Sequence, residues 1–565
     1  MRPCAQLFNS LSPAGVQRWR SLHTADGSEA TPHFTMKTIL SRTVASWPLA
    51  VILLLPSPMH GATATPAWVQ RYNGPGNGDD VANAVAVDVG GNVLVTGGSY
   101  DTGTGYDYVT IKYSSVGVPL WTNRYNGPAN GNDYAQVVAL DGSGDVYVTG
   151  YSQGNGTAFD YATVKYSSGG VPLWTNRYNG PASGVDRANA LALDSNTNVC
   201  VTGQSADSGN GYDYVTIMYS SAGVPLWTNR YNGPGNGDDV ANALAVDGSN
   251  NICVTGYSFD SGSFLDFATI KYSSAGVPLW TNGYNGPAND NDVATAVEVD
   301  SIGGVVVFGY SRGSGTSDDY ATIKYSSAGV PLWTNRYNGP GNGPDVANAV
   351  AVDGSNNVYV TGYSPGGGTF LDYATIKYSS AGVPLWTNRY NGLVNANDLG
   401  IALAADNSGN VFVTGHSDGS GSASDYATLA YSTAGLLLWT SRYNGPANGT
   451  DQPLTKRSLA LAGHGSVVVV GRSQGINAGS TNYDWAVVKY VSLPSVIGLT
   501  NLGPTAWQLS FSAMPGLPYL AQVATNLTTS PWFHLSTNTA GSNGLWTVID
   551  TAATNKHRFY RVLAR

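Results

Sequence analysis

Eight tryptophans, Trp68, Trp121, Trp174, Trp227, Trp280, Trp333, Trp386 and Trp439, stand 53 residues apart without a slip. A chain with that period is one module copied eight times. A module of about 40 to 55 residues built from short strands cannot bury its apolar face alone and has to close against copies of itself. The spacing therefore restricts the chain to a propeller or an open array. It also limits what the repeated residues say about function, because a residue present in every copy first serves the assembly of the copies.

One module reads as four strands. In residues 333–385, Val346 to Val352 alternates small apolar residues, Asp353 to Asn357 is a turn run, and Val358 to Tyr363 alternates again, so these two segments pair as a hairpin. A Gly-rich loop precedes a third strand from Asp372 to Tyr378. Ser379 to Gly382 makes the next turn, and Val383 to Tyr390 is the fourth strand, carrying Trp386. The 71 glycines in 565 residues suit turn-rich repeats rather than helices. These units predict an all-β fold, an eight-bladed β-propeller of four-stranded blades over residues 66–490. The repeats open on a fourth-strand motif, Ala67 to Tyr72, and end after a third strand, Asp484 to Tyr490. The N-terminal strand is therefore expected to complete the last blade, which removes open sheet edges. A seven-bladed ring with a spare unit uses the same residues. The last blade departs from the pattern: Leu459 takes the place of the turn Asp, and the loop before Asp484 is six residues longer.

The type module resembles the bacterial β-propeller repeat family known as SBBP, through Asp353, Gly354, Asn357, Val358, Tyr359, Val360, Gly362, Tyr363 and Ser364, then Asp372-Tyr373. The resemblance recurs eight times and implies a secreted or surface propeller with no general catalytic assignment.

Outside the repeats, Lys37 and Arg42, an apolar run from Val44 to Leu55 and Ala62-Thr63-Ala64 read residues 36–64 as a secretory signal, with residues 1–35 a spurious extension before Met36. The run is broken by Pro48 and is short for a bilayer span, so no stable membrane span is expected after signal removal. Residues 491–565 leave the period. They alternate at Trp507 to Phe511, Tyr519 to Val523 and Trp546 to Ile549, with turns at Pro515-Gly516 and Ser542 to Gly544, which predicts a small β-sandwich accessory domain. Tyr519, Ala524 to Leu527, Trp532 and Arg558 to Val562 resemble C-terminal modules of secreted planctomycete and verrucomicrobial proteins, implying an accessory or attachment role. After position 64 the chain holds 22 Lys and Arg against 34 Asp and Glu, a net charge of about −12, which excludes nucleic acid as a partner. Cys200 and Cys253 occupy one position in neighbouring modules and read as packing residues.

Two aspartate series recur in all eight modules. Twelve positions after each Trp stand Asp80, Asp133, Asp186, Asp239, Asp292, Asp345, Asp398 and Asp451. Opening each third strand stand Asp107, Asp160, Asp213, Asp266, Asp319, Asp372, Asp425 and Asp484. With strands running as in ordinary propellers, both series rim one face of the disc. They make either a candidate ligand rim of oxygens for calcium or glycan hydroxyls, or acceptors for amides of their own loops in Asx-type turns. The metal is unknown. The eight tryptophans are taken as structural anchors between blades, and Arg71, Arg124, Arg177, Arg230, Arg336, Arg389 and Arg442 are available to pair with acidic groups. The Gly-x-x-x-Trp context from Gly382 to Trp386 looks like the docking motif of quinoprotein propellers, but Tyr378 stands where that motif has Asp, and no adjacent cysteine pair occurs. No cofactor is expected, calcium aside.

Catalysis needs unlike groups in distinct roles, whereas this chain repeats one set. Its few exceptions are Glu298, read as a solvated strand position, and His416 and His464 near strand ends. These readings favour an exported, monomeric, non-enzymatic propeller, secreted, periplasmic or on a bacterial cell surface, that binds a protein or polysaccharide. The alternatives are a calcium-assisted lectin-like glycan binder and an enzyme with its site in the irregular eighth blade.

Overall fold

The structure, a computed structural model, describes residues 64–564 apart from 210, 464, 476–481, 492–494, 504–505, 514–516, 525–531, 542–544 and 552–558. Residues 1–35, read from the sequence as a spurious extension, residues 36–63 of the segment read as a signal, His464 and most of the long loop before Asp484 lie outside the described residues.

Seven sheets each contain four antiparallel strands hydrogen-bonded in chain order; in blade 1 these are Asp80–Val87, Val93–Asp101, Gly105–Tyr113 and Pro119–Tyr125. Blades 2 to 7 begin at Asp133, Asp186, Asp239, Asp292, Val346 and Asp398. Blade 8 takes Val467–Gln474 and Tyr483–Val491 as its middle strands and Thr65–Tyr72 as its outer strand. Trp68 stands opposite Lys489 in the same register that sets Trp121 opposite Lys112, so the first strand of the repeats is the fourth strand of the last blade. The ring has eight blades and closes by that strand.

The apolar cores lie between blades. Val109 and Ile111 of blade 1 pack with Val468, Val470 and Trp485 of blade 8, and Leu94 and Tyr108 of blade 1 with Val146 and Val148 of blade 2. Within the ring each blade thus buries its faces against its two neighbours, which is why the module had to be copied. Cys200 and Cys253 are buried, unpaired and in different interfaces. The tryptophans fasten the same interfaces: Trp121 Nε1 and Asn123 Nδ2 donate to Ser168 O (3.2 Å) and Gly170 O (2.7 Å) of the next blade. Gly117, at φ 88°, lies against Trp68, and a Cβ there would fall 2.8 Å from the indole. The glycine of Gly-x-x-x-Trp is therefore required by both its backbone conformation and the indole of the preceding blade.

First strands of consecutive blades neighbour one another around the ring and line a central channel. In blades 1 to 7 each carries a one-residue bulge, at Asn83, Gln136, Asn189, Asn242, Thr295, Asn348 and Ile401. Five of these side chains donate to a carbonyl of the next blade, as Asn83 Nδ2 does to Ala135 O at 2.8 Å. In blade 8 the bulge has grown into residues 453–458. Lys456 Nζ crosses the channel to donate to Asn242 O (3.2 Å) and Thr295 O of blades 4 and 5, and Thr455 Oγ1 reaches Asn83 O.

This excursion corrects the reading of blade 8. Ser473 stands 34 positions after Trp439, whereas Ser417 stands 31 after Trp386, so three of the six extra residues lie in the inner strand rather than in the loop before Asp484. Leu459 is consequently an inner-strand residue opposite Val469, and Ala462 takes the turn position, donating to Ser466 O at 2.8 Å.

After the propeller come two three-stranded sheets. One holds Ser495–Gly503, Ala506–Ser512 and Leu545–Asp550; the other holds Phe533–Thr539, Pro518–Ala524 and Phe559–Ala564. The Trp546 ring bridges them, 5.0 Å from that of Phe511 and 5.8 Å from that of Tyr519. The same buried cluster takes in Trp439 and Tyr490 of the propeller. Trp439 is 1% exposed, and the other seven repeated tryptophans are half-buried.

Candidate functional site

The two aspartate series do share one end of the blades, since Asp80 pairs with Ser99 and Ser99 with Asp107. They do not form an open rim. Asp80, Asp133, Asp186, Asp239, Asp292, Asp345, Asp398 and Asp451 are buried, and each Oδ2 accepts the amide of the glycine six residues earlier, as Asp80 does from Gly74 at 2.7 Å. Burial pushes the Asp80 carboxyl up to about 6 against the opposing pull of Ser99 and Gly74. In the second series Asp107, Asp160, Asp213, Asp319, Asp372, Asp425 and Asp484 each bind the arginine of the outer strand at 2.8 or 2.9 Å. In fifteen of the sixteen, Oδ2 is thus held by a loop amide or a guanidinium group, and the carboxylates lie inside the blades rather than on an open rim. Asp266 stands apart, because position 283 is glycine where its counterparts are arginine.

One arginine ties three strands and two blades. Arg124 Nη1 donates to Tyr72 OH of the preceding blade (3.2 Å) and to Ser99 Oγ (3.0 Å), while Nη2 donates to Ser99 O (3.2 Å) and Asp107 Oδ2 (2.9 Å). The repeated arginines and their partners thus fasten strands and blades together, and the positions where the repeat is broken stand out against them.

Two such positions adjoin the channel. Glu298 replaces an alanine that every other blade has there, as in Ala245 opposite Cys253 and Ala351 opposite Tyr359. It opens onto channel space yet is ringed by protein, which pushes its carboxyl up to about 7, with Lys456 pulling the other way. Enclosure in turn lowers Lys456 well below the usual lysine range and Arg457 to about 10. Glu298 is thus an exposed strand position, as the sequence suggested, on a strand that lines the channel. His416 is also enclosed, and burial lowers it to about 4.

The second break opens a cleft of about 350 Å³ where blades 8, 1 and 2 meet. Gly98 stands where blades 2, 4, 5 and 6 carry Tyr151, Tyr257, Tyr310 and Tyr363, so a ring-sized space is left unfilled. Its walls are the rings of Tyr106, Tyr134 and Tyr483, with Asp79, Asn83, Gln136 and Arg472. Tyr106 and Tyr134 lie 5.2 Å apart, and the Arg472 guanidinium sits 4.4 Å over the Tyr483 ring while donating to Gln452 Oε1 at 2.7 Å. Asp79 Oδ1 accepts the Tyr483 amide at 3.0 Å, which fixes the blade 8 wall against blade 1. Rings for stacking, two amides and one charged group of each sign converge here. None of these residues was singled out from the sequence, although aligning the modules on themselves exposes Gly98 as a missing tyrosine.

The fold and these sites define a β-propeller repeat protein. No family model matches the chain. An uncharacterized WD repeat-containing protein of Acanthamoeba polyphaga mimivirus is 24% identical over 430 residues, spanning 60% of this chain and 29% of that protein, so the chain covers less than a third of its relative. Among solved structures, the chain is similar to the β-propeller domain of the Trilobed protease from Pyrococcus furiosus, with TM-score 0.35, 8% identity, and coverage of 65% of this chain and all of that one. It is likewise similar to Drosophila Plexin A in complex with Semaphorin 1b, with TM-score 0.36, 11% identity, and coverage of 76% and 88%.

Proposed function

We propose that the chain is an exported, monomeric, non-enzymatic β-propeller that binds a polysaccharide at a bacterial cell surface, with the cleft beside Gly98 as the ligand site. The observation that carries this reading is the cleft wall itself. Three tyrosine rings offer the flat apolar surface a sugar ring stacks on, and Asn83, Gln136, Asp79 and Arg472 offer donors and acceptors for its hydroxyls. Glycoside hydrolysis uses two carboxyl groups about 5 to 9.5 Å apart. Asp79 is the single carboxylate among the described lining residues and is already tied to the Tyr483 amide, which favours binding over turnover. The SBBP-like repeats and the signal-like residues 36–64 support export. The tail, read as a small β-sandwich accessory domain, supplies attachment.

A glycan array with the full chain and its Gly98→Tyr variant tests the assignment. Tyrosine is what four other blades carry, so the variant is expected to fold while filling the cleft. Loss of array binding is the expected result, and chelation of calcium is expected to leave wild-type binding intact. Absence of any glycan signal, or equal binding by the variant, overturns it.

A further inference from the structure

Blade 4 lacks its arginine but keeps everything that arginine binds. Gly283 stands opposite Ala268 as Arg230 stands opposite Val215, and Ser258 stands opposite Asp266 as Ser205 stands opposite Asp213. In blade 3 the guanidinium of Arg230 meets Tyr178 OH (3.3 Å), Ser205 Oγ (2.7 Å), Ser205 O (3.4 Å) and Asp213 Oδ2 (2.8 Å). The blade 4 counterparts of these acceptors are Tyr231, Ser258 and Asp266, at the same spacings from position 283. A Cβ built on Gly283 would meet only the Phe267 carbonyl, at 3.6 Å, so the path the arginine side chain takes elsewhere is open. The space is also reachable: Asp213 is 6% exposed, whereas Asp266 is half-buried and is the one member of its series that solvent reaches to this degree. Without a cation beside it, burial holds the Asp266 carboxyl up at about 6.

We propose that this vacancy is a binding site for one guanidinium group, supplied by a free guanidinium-type cation or by an arginine side chain that another molecule presents. Seven copies within the same chain show the bound geometry. The planar fork meets a carboxylate, a hydroxyl, a carbonyl and a phenol at once, an arrangement that a lysine ammonium cannot reproduce as a point charge.

The test is thermal unfolding of the full chain in 0–20 mM guanidinium chloride at constant ionic strength, with sodium chloride and ammonium chloride as controls. Wild type is expected to gain about 1–2 °C from guanidinium alone. Gly283→Arg, which fills the site from within, and Asp266→Asn, which removes its charge, are each expected to lose that gain. Gly283→Ala is expected to keep it, and this separates loss of the site from loss of the glycine. Repeating the titration with N-acetyl-arginine amide and N-acetyl-lysine amide distinguishes the two sources. Stabilisation by the arginine amide points to a presented side chain, and stabilisation by guanidinium alone restricts the site to small cations. An equal guanidinium response in wild type and both blocking variants, or no response in wild type, overturns the proposal.

Discussion

An outer-strand arginine such as Arg336 donates to Tyr284 OH (3.1 Å), Ser311 Oγ, Ser311 O (2.8 Å) and Asp319 Oδ2 (2.8 Å), so one side chain joins two blades. Arg336→Ala leaves Asp319 buried without its cation, and the expected loss is about 2–3 kcal/mol in urea unfolding. A loss under 0.5 kcal/mol would mean that the network positions the loops without stabilising them. Glu298 gives a pH-dependent case. Its folded-state carboxyl is raised to about 7 from an ordinary 4.5, so the folded chain holds that proton more tightly than the unfolded one. That contribution to stability is present below about pH 4.5 and is lost as pH rises through 7. Glu298→Ala, matching the other blades, should therefore melt higher than wild type at pH 8, and the gap should narrow toward pH 5; a gap that stays constant would show that the enclosure is not felt. At this scale the sequence displayed which residues repeat but not what they bind. Asp80 and Asp107 recur with equal regularity, yet one holds a glycine amide and the other an arginine, because the direction of a loop amide leaves no trace in spacing.

The strand pattern was legible because each blade strand alternates small apolar and polar residues between Gly-rich turns, and the third strands also carry β-branched and aromatic residues. Where alternation fails, the reading failed with it. Residues 453–458 contain Pro, Thr, Lys, Arg and Ser, with no period, and their path across the channel is set by bulge carbonyls of blades on the far side. Counting from Trp439 therefore placed Leu459 three positions too far along the blade. In the tail, the segments at 506–512, 518–524 and 545–550 were legible, while Ser495–Gly503, Phe533–Thr539 and Phe559–Ala564 alternate too weakly to stand out. The excursion makes its own prediction. Lys456→Met keeps the length of the side chain but removes the donor, leaving Asn242 O and Thr295 O without it. Loss of the bridge is expected to cost about 1–3 kcal/mol and to speed amide exchange in the first strands of blades 4 and 5. Unchanged exchange there would show that the plug is not held by this residue.

Eight blades without private cores form a structure whose stability is shared around the ring, so closure matters more than any single interface. The closing strand Thr65–Tyr72 supplies backbone pairing to Tyr483–Val491, the Trp68 indole to Ser115 O (3.1 Å) and the Arg71 guanidinium to Asp484 (2.8 Å). Closure was readable because the repeats begin with the strand that their end lacks. The covering of Trp439 by the tail was not, since nothing in the tail's sequence names the face it packs on. Deleting residues 65–72 should leave blades 1 to 7 formed but expose the Tyr483–Val491 edge, an open invitation to pairing between chains. The truncated chain is therefore expected to elute as oligomers on size-exclusion chromatography. A synthetic peptide of residues 65–72 should return it to a single chain by occupying the edge. The same peptide carrying Trp68→Ala or Arg71→Ala keeps the backbone pairing and loses one side-chain tie each, so each should bind about tenfold or more weakly, as the loss of roughly 1.4 kcal/mol or more implies. Equal rescue by all three peptides would locate closure in the backbone ladder alone and strip the tryptophan period of its role as the fastening between blades.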